Sequence, residues 1–179
     1  MFPLTIRINP LEFKNIDSAE NLIRYITRTR PNEDRRHELI AYGFTYGNSY
    51  SKPIEEVIRE FEFVQKIYSA TGCLMCHYVI RFNDKHFNLL ESPIQTLNEY
   101  ASNCCNILFQ QGFQCCYAIH KNDDEELPHI HLAINTVNYT NGRKLRQYPT
   151  ELYKNIELPL QELFVQYLRK QSTILDLFN

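Results

Sequence analysis

Residues 115–135 constrain the fold more than any other stretch. The apolar run CCYAI (115–119) leads into His120, a polar and proline-containing stretch turns the chain, and HIHLAIN (129–135) follows. Two such runs joined by a turn predict a β-hairpin, in which alternate residues point to one face. His129 and His131 then share a face, about 6–7 Å apart at their Cα atoms. A partner strand ending at His120 brings a third imidazole beside them. Three neutral imidazoles on neighbouring strands form an open metal site, with positions left for water or a phosphate oxygen. The alternative is three strand histidines that hydrogen-bond backbone or water.

The other elements follow from periodicity and punctuation. LTIRI (4–8) reads as a strand closed by Asn9-Pro10, and SAENLIRYITR as a helix capped by Asp17 or Ser18 with Leu22, Tyr25 and Ile26 on one face. Residues 30–53 read as a long loop with short elements. Pro53 opens an amphipathic helix that runs to Gly72, LMCHYVIRF (74–82) is a strand, and a second helix runs from Pro93 to Gly112. Asn141-Gly142 makes a turn after the hairpin, and residues 151–179 are helical with an interruption at Pro159. Strands joined by both helices and a hairpin imply an α+β fold: a central, mostly antiparallel sheet with flanking helices. Nothing in residues 1–179 asks for a second domain.

Composition narrows the setting. The chain has 179 residues, 44% hydrophobic, and no apolar run long enough for a membrane span. Its start lacks the regions of a signal peptide, so a cytoplasmic protein without membrane insertion is expected. Six cysteines, two pairs of them adjacent, read as reduced thiols; Cys73-x2-Cys76 has no second CxxC to complete a zinc site. The net charge of −2 does not advertise a nucleic-acid protein. Local clusters do: Arg24, Arg28, Arg30, Arg35 and Arg36 before the hairpin, and Arg143, Lys144 and Arg146 after it. The same charges also suit an ordinary solvated face.

A metal that activates phosphate needs a nucleophile. Among twelve tyrosines, Tyr25 stands out because it lies in RYITRTR, at a helix end crowded with arginines. A phenol with a pKa of about 10 needs nearby cations or a base to attack. The plainer role for Tyr25 is packing beside Leu22 and Ile26.

These residues resemble a known family. HKNDDEELPHIHLAINTVNYTNGRKL is similar to the third motif of the relaxase/mobilization nucleases of the HUH endonuclease superfamily, in the class of mobilization protein A and the Ti-plasmid relaxases. His120, His129, His131, Asn135 and the turn Asn141 to Lys144 fill its places. Arg24-Tyr25-Ile26-Thr27-Arg28 resembles the first motif, which carries the nucleophilic tyrosine. His77-Tyr78-Val79-Ile80-Arg81-Phe82 is similar to the second. There Arg81 replaces the usual serine, which bears on the substrate contact and not on the fold.

The resemblance implies a metal-dependent, site- and strand-specific single-stranded DNA endonuclease and strand transferase that acts at a plasmid transfer origin in conjugative mobilization. Tyr25 would be the nucleophile and form a 5′-phosphotyrosyl link. His120, His129 and His131 would hold Mg²⁺ or Mn²⁺. Arg24, Arg28, Arg30, Arg81, Asn135, Arg143 and Lys144 would contact DNA. An acidic outer partner of one metal histidine is implied too, with Glu20, Asp84 or the 123–126 run as candidates, and His77 is placed near the site but outside the ligand set. Accessory DNA-binding proteins and a coupling protein are the implied partners. Two other readings stay open. A replication initiator or transposase of the same superfamily would carry its tyrosine after the histidines, at Tyr153 or Tyr167; a non-catalytic DNA-binding module would bind without cleaving.

Overall fold

The computed structural model describes residues 4–13, 18–44, 52–123 and 127–177. In chain order the elements are β1 (Leu4–Phe13), α1 (Ser18–Ile26), β2 (Leu39–Phe44), α2 (Ile54–Ile67), β3 (Met75–Phe82), the single turn α3 (Asp84–Phe87) and α4 (Pro93–Gln110). After these come β4 (Cys115–His120), β5 (His129–Asn135), the short α5 (Pro149–Leu152) and α6 (Leu158–Leu177). The five strands form one sheet in the order β1-β3-β5-β4-β2, every pair antiparallel.

Period two sorts the sheet residues into two faces. Tyr78, Ile80, Tyr117, Ile119, Ile130, Leu132 and Ile134 form a continuous apolar face packed with Leu97, Tyr100, Cys104, Leu108, Leu160 and Phe164 of α4 and α6. On the opposite face the small side chains of Cys116, Ala118 and Ala133 admit α1 and α2, which bury Ala19, Leu22, Ile23, Ile26, Val57, Ile58 and Phe61. The helices therefore cover both faces, and β4 and β5 are buried throughout. Each fully buried leucine or isoleucine contributes roughly 1.5–3 kcal/mol.

Three elements depart from the sequence expectations. Residues 39–44, expected within a loop, form the edge strand β2. Gly43 weakens that strand's own propensity, but a side chain there would collide with the ring of Tyr117. β1 continues past Asn9-Pro10 to Phe13 through a register shift, which an edge strand tolerates because its outer amides need no partner. Pro159 does not interrupt the last helix: a π-helical turn at Tyr153–Glu157 precedes it, and the proline falls in the first turn of α6, where an amide is not required. Ser18 is the first residue of α1, and the alternative cap Asp17 lies outside the described residues.

α4 ends at a glycine for a visible reason. Gly112 has φ 92°, and the Phe113 amide returns to the Leu108 carbonyl at 2.9 Å. A Cβ at Gly112 would strike the Asn138 side chain. Gly112→Ala is therefore expected to destabilise the protein by roughly 1–3 kcal/mol; an unchanged urea midpoint would contradict this account.

Candidate active site

The hairpin register brings the three histidines together. His120 lies directly opposite His129, and Ala118 opposite His131, on the face covered by α1. Their ligand atoms all lie within 4.8 Å of one another, and all three residues are buried. The Nε2 atoms of His129 and His131 face each other at 2.9 Å. His120 Nε2 donates to the Ile26 carbonyl at the end of α1, which leaves its Nδ1 lone pair without a partner among the described residues. Adjoining imidazole nitrogens with an unsatisfied lone pair fit a divalent cation, for which metal–nitrogen distances are about 2.0–2.1 Å.

A fourth imidazole completes the cluster. His77 on β3 projects to the same face, two residues from Val79, which lies opposite His131. Its Nε2 is 2.8 Å from His131 Nδ1, and the two rings stack at 5.1 Å.

Tyr25 reaches this cluster from the last turn of α1. Its ring meets those of His77 and His131 edge-on, at centroid distances of 5.9 and 6.0 Å. The Arg28 and Arg30 guanidiniums stand over the tyrosine ring, 5.3 and 4.9 Å from its centroid. Arg28 adopts φ 53° just past the helix, a conformation usually left to glycine, while the Thr29 amide returns to the Arg24 carbonyl at 3.0 Å. That turn carries the Arg28 side chain inward, where Nη2 donates to Glu38 Oε2 at 2.6 Å in a buried ion pair.

The remaining arginines and the asparagine divide by location. Arg30 and Arg24, with Glu20, Asn21, Thr29, Pro31 and Arg36, line an open depression beside α1; within it Arg24 is paired with Glu20 and Glu55. Arg81 is exposed on the histidine-bearing face, directly opposite His129. Asn135, Arg143 and Lys144 lie away from the histidines, since the four residues from His131 to Asn135 already span about 13 Å of strand. Asn135 is fully buried: its Nδ2 donates to the Phe61 carbonyl and to Gln114 Oε1, and its Oδ1 accepts from Gln65 Nε2 and the Val137 amide. This is an internal strut between α2 and the sheet. Lys144 Nζ donates to the carbonyls of Thr71 and Cys73, and Arg143 is exposed in the neighbouring turn.

The family model described as relaxase, MobA/VirD2-like, nuclease domain matches residues 25–167. The chain belongs to this relaxase family. No curated protein matches it. The relaxase match spans both Tyr25 and the histidine hairpin, and it carries a DNA-nicking nuclease function with single-stranded DNA as partner; the three-histidine cluster could hold a metal ion. Among the described residues of the relaxase, no helix is long and apolar enough to cross a membrane.

Sequence reasoning left His77 outside the ligand set and looked instead for an acidic outer partner. In the relaxase, Glu20 is held by Arg24, Asp123 faces His37 across the surface, and Asp84 is exposed at the start of α3; residues 124–126 lie outside the described residues. The sequence placed His77 on a strand but not its register against β5. Glu38, the partner of Arg28, lay in the expected loop and had no signal of its own. All six cysteines are free thiols.

Burial sets the protonation of the cluster. Desolvation lowers His77 and His120 to about 4 and holds His131 well below the ordinary imidazole value; the Arg28 charge adds to the effect at His120 and His131. All three are neutral at neutral pH, the state an imidazole needs in order to ligate a metal. In the unfolded chain they titrate near pH 6.5, so between that pH and about 4 the unfolded state binds more protons. Stability of the metal-free relaxase is thus complete above pH 6.5 and falls as the pH drops through this window. Urea midpoints in EDTA should be lower at pH 5 than at pH 7.5, and equal midpoints would contradict burial of neutral imidazoles.

Proposed function

We propose that this relaxase cleaves one strand of DNA at a transfer origin by transesterification, with Tyr25 as nucleophile and His120, His129 and His131 as the holders of a divalent cation. One observation carries the reading: Tyr25 stands edge-on to two imidazoles of the histidine cluster, under two guanidiniums. Attacker and phosphate-binding centre are within one substrate's reach.

Held by the three imidazoles, Mg²⁺ or Mn²⁺ would supply Lewis-acid polarisation of the scissile phosphate. The protein's own groups supply the rest. The Tyr25 oxygen attacks phosphorus and gives up its proton; the bond from phosphorus to the 3′ oxygen breaks, and that oxygen takes up a proton. A 5′-phosphotyrosyl link and a free 3′-hydroxyl result. One phosphate ester replaces another, so the step can run backward and rejoin ends. Arg30, over the Tyr25 ring, and Arg81, opposite His129, are both exposed and would bind flanking phosphates. The Arg28 guanidinium, anchored by Glu38 and standing over the Tyr25 ring, would stabilise negative charge that develops on the tyrosine oxygen.

The position of the other candidate tyrosines supports Tyr25. Tyr153 and Tyr167 belong to the helical layer on the far face of the sheet, where Tyr167 packs on Tyr100 and bonds Asn103. A nucleophile there would have to act through the sheet.

The test is incubation with single-stranded transfer-origin DNA and Mn²⁺ or Mg²⁺, followed by denaturing electrophoresis. A covalent protein–DNA band is expected. Binding without any adduct under either ion would replace this reading with that of a non-catalytic DNA-binding module.

A further inference from the structure

We propose that His77 is the positioning residue for His131: a neutral imidazole that accepts the His131 Nδ1 proton and aims its Nε2 at the metal. This rests on the reading that His120, His129 and His131 hold the cation. The direction of the hydrogen bond follows from tautomer chemistry. His131 presents Nε2 toward His129 at 2.9 Å, so Nε2 is its ligand nitrogen. A neutral imidazole that ligates through Nε2 carries its proton on Nδ1. That atom is 2.8 Å from His77 Nε2, which must then be the acceptor.

Packing alone does not account for a histidine at this position. His77 is 1% exposed, and its Nδ1 has no partner among the described residues. A buried imidazole with one satisfied nitrogen is less stabilising than an apolar ring of the same shape, so the polar ring needs a use beyond filling space. Among the described residues its polar contact is with the His131 ring, which it also stacks against with planes 20° apart. The register of β3 on β5 puts Val79 opposite His131 and His77 two residues along on the same face, so the two rings project from neighbouring backbone positions.

The chemical consequence concerns charge. A carboxylate in this role would add a negative charge beside the cation. An imidazole that accepts the same proton orients His131 without adding that charge, which leaves more of the cation's charge to act on the phosphate.

The experiment titrates metal-free protein with Zn²⁺ by calorimetry, zinc being an imidazole-seeking and diamagnetic probe. Parent protein should bind it, and His131→Ala should not. His77→Phe keeps the ring volume but removes the acceptor, and is expected to weaken zinc binding by roughly 10- to 100-fold. His77→Gln, whose amide oxygen can accept from Nδ1, is expected to recover most of the affinity. Circular dichroism in EDTA should match the parent for both variants. Zinc binding by His77→Phe as tight as the parent's overturns the proposal while leaving the metal site standing. Failure of the parent to bind zinc overturns both. Should His77→Phe not fold, nitrogen-15 imidazole spectra of the zinc-loaded parent decide alone. A proton on His77 Nδ1 and a bare Nε2 support the role; the reverse tautomer overturns it.

Discussion

Replacing Tyr25 with phenylalanine is expected to abolish the covalent DNA adduct and reduce cleavage by on the order of 10⁴-fold or more, because the oxygen proposed to attack phosphorus is deleted. Binding of single-stranded DNA should change little. The ring remains, and with it the edge contacts to His77 and His131 and the faces presented to Arg28 and Arg30. This separation of binding from cleavage makes the substitution diagnostic. Two measurements on one sample suffice: anisotropy with labelled single-stranded DNA, and denaturing electrophoresis after incubation with Mn²⁺. An adduct that persists in Tyr25→Phe would remove Tyr25 from the chemistry and reopen the search for a nucleophile. Loss of DNA binding along with the adduct would point to a structural role for the hydroxyl instead.

The second large effect is expected at Glu38. Its carboxylate meets the Arg28 guanidinium at 2.6 Å, with only 8% and 3% of the two side chains exposed. Glu38→Ala strands a buried cation whose Nε and Nη1 already have no partner among the described residues. Breaking such a pair from one side costs about 3–5 kcal/mol. For a domain of this size that corresponds to a fall in Tm on the order of 10 °C. A loss under about 1 kcal/mol would mean that Arg28 swings out to solvent and that the pair is not anchored as described. Activity should suffer beyond the loss of stability. Arg28 sits at φ 53° three residues after Tyr25, so releasing its side chain lets the end of α1 relax. Replacing both partners with apolar residues, Arg28→Met with Glu38→Leu, should restore much of the stability without restoring cleavage.

Legibility in the sequence followed the range of the interaction. The hairpin, the alternation that puts His129 and His131 on one face, and the helices from Pro53 and Pro93 depend on residues within a turn or two of each other. The α+β class and the antiparallel sheet followed from their order. β2 was missed because Gly43 lowers its propensity, and only the Tyr117 ring beside it explains the glycine. The arginine cluster around Tyr25 was read as one DNA-binding group, yet the fold divides it. Arg24 is tied to Glu20 and Glu55, Arg28 is buried against Glu38, and Arg30 is left on the surface over the tyrosine ring. Spacing along a helix end cannot show which of three charges turns inward. Asn135 carries the same lesson, for a motif position read as a DNA contact braces α2 to the sheet from inside.

By itself, then, the sequence determined which residue types gather along each strand and helix, including the three imidazoles of one hairpin, because those patterns are set by backbone periods of 2 and 3.6 residues. Only the tertiary structure decided that β3 lies beside β5 in a register that sets His77 against His131, and that α1 crosses the sheet where Tyr25 meets them both. Strand register between segments more than fifty residues apart, and the docking of a helix on a sheet, follow from side-chain packing summed over the whole core, to which no local pattern has access.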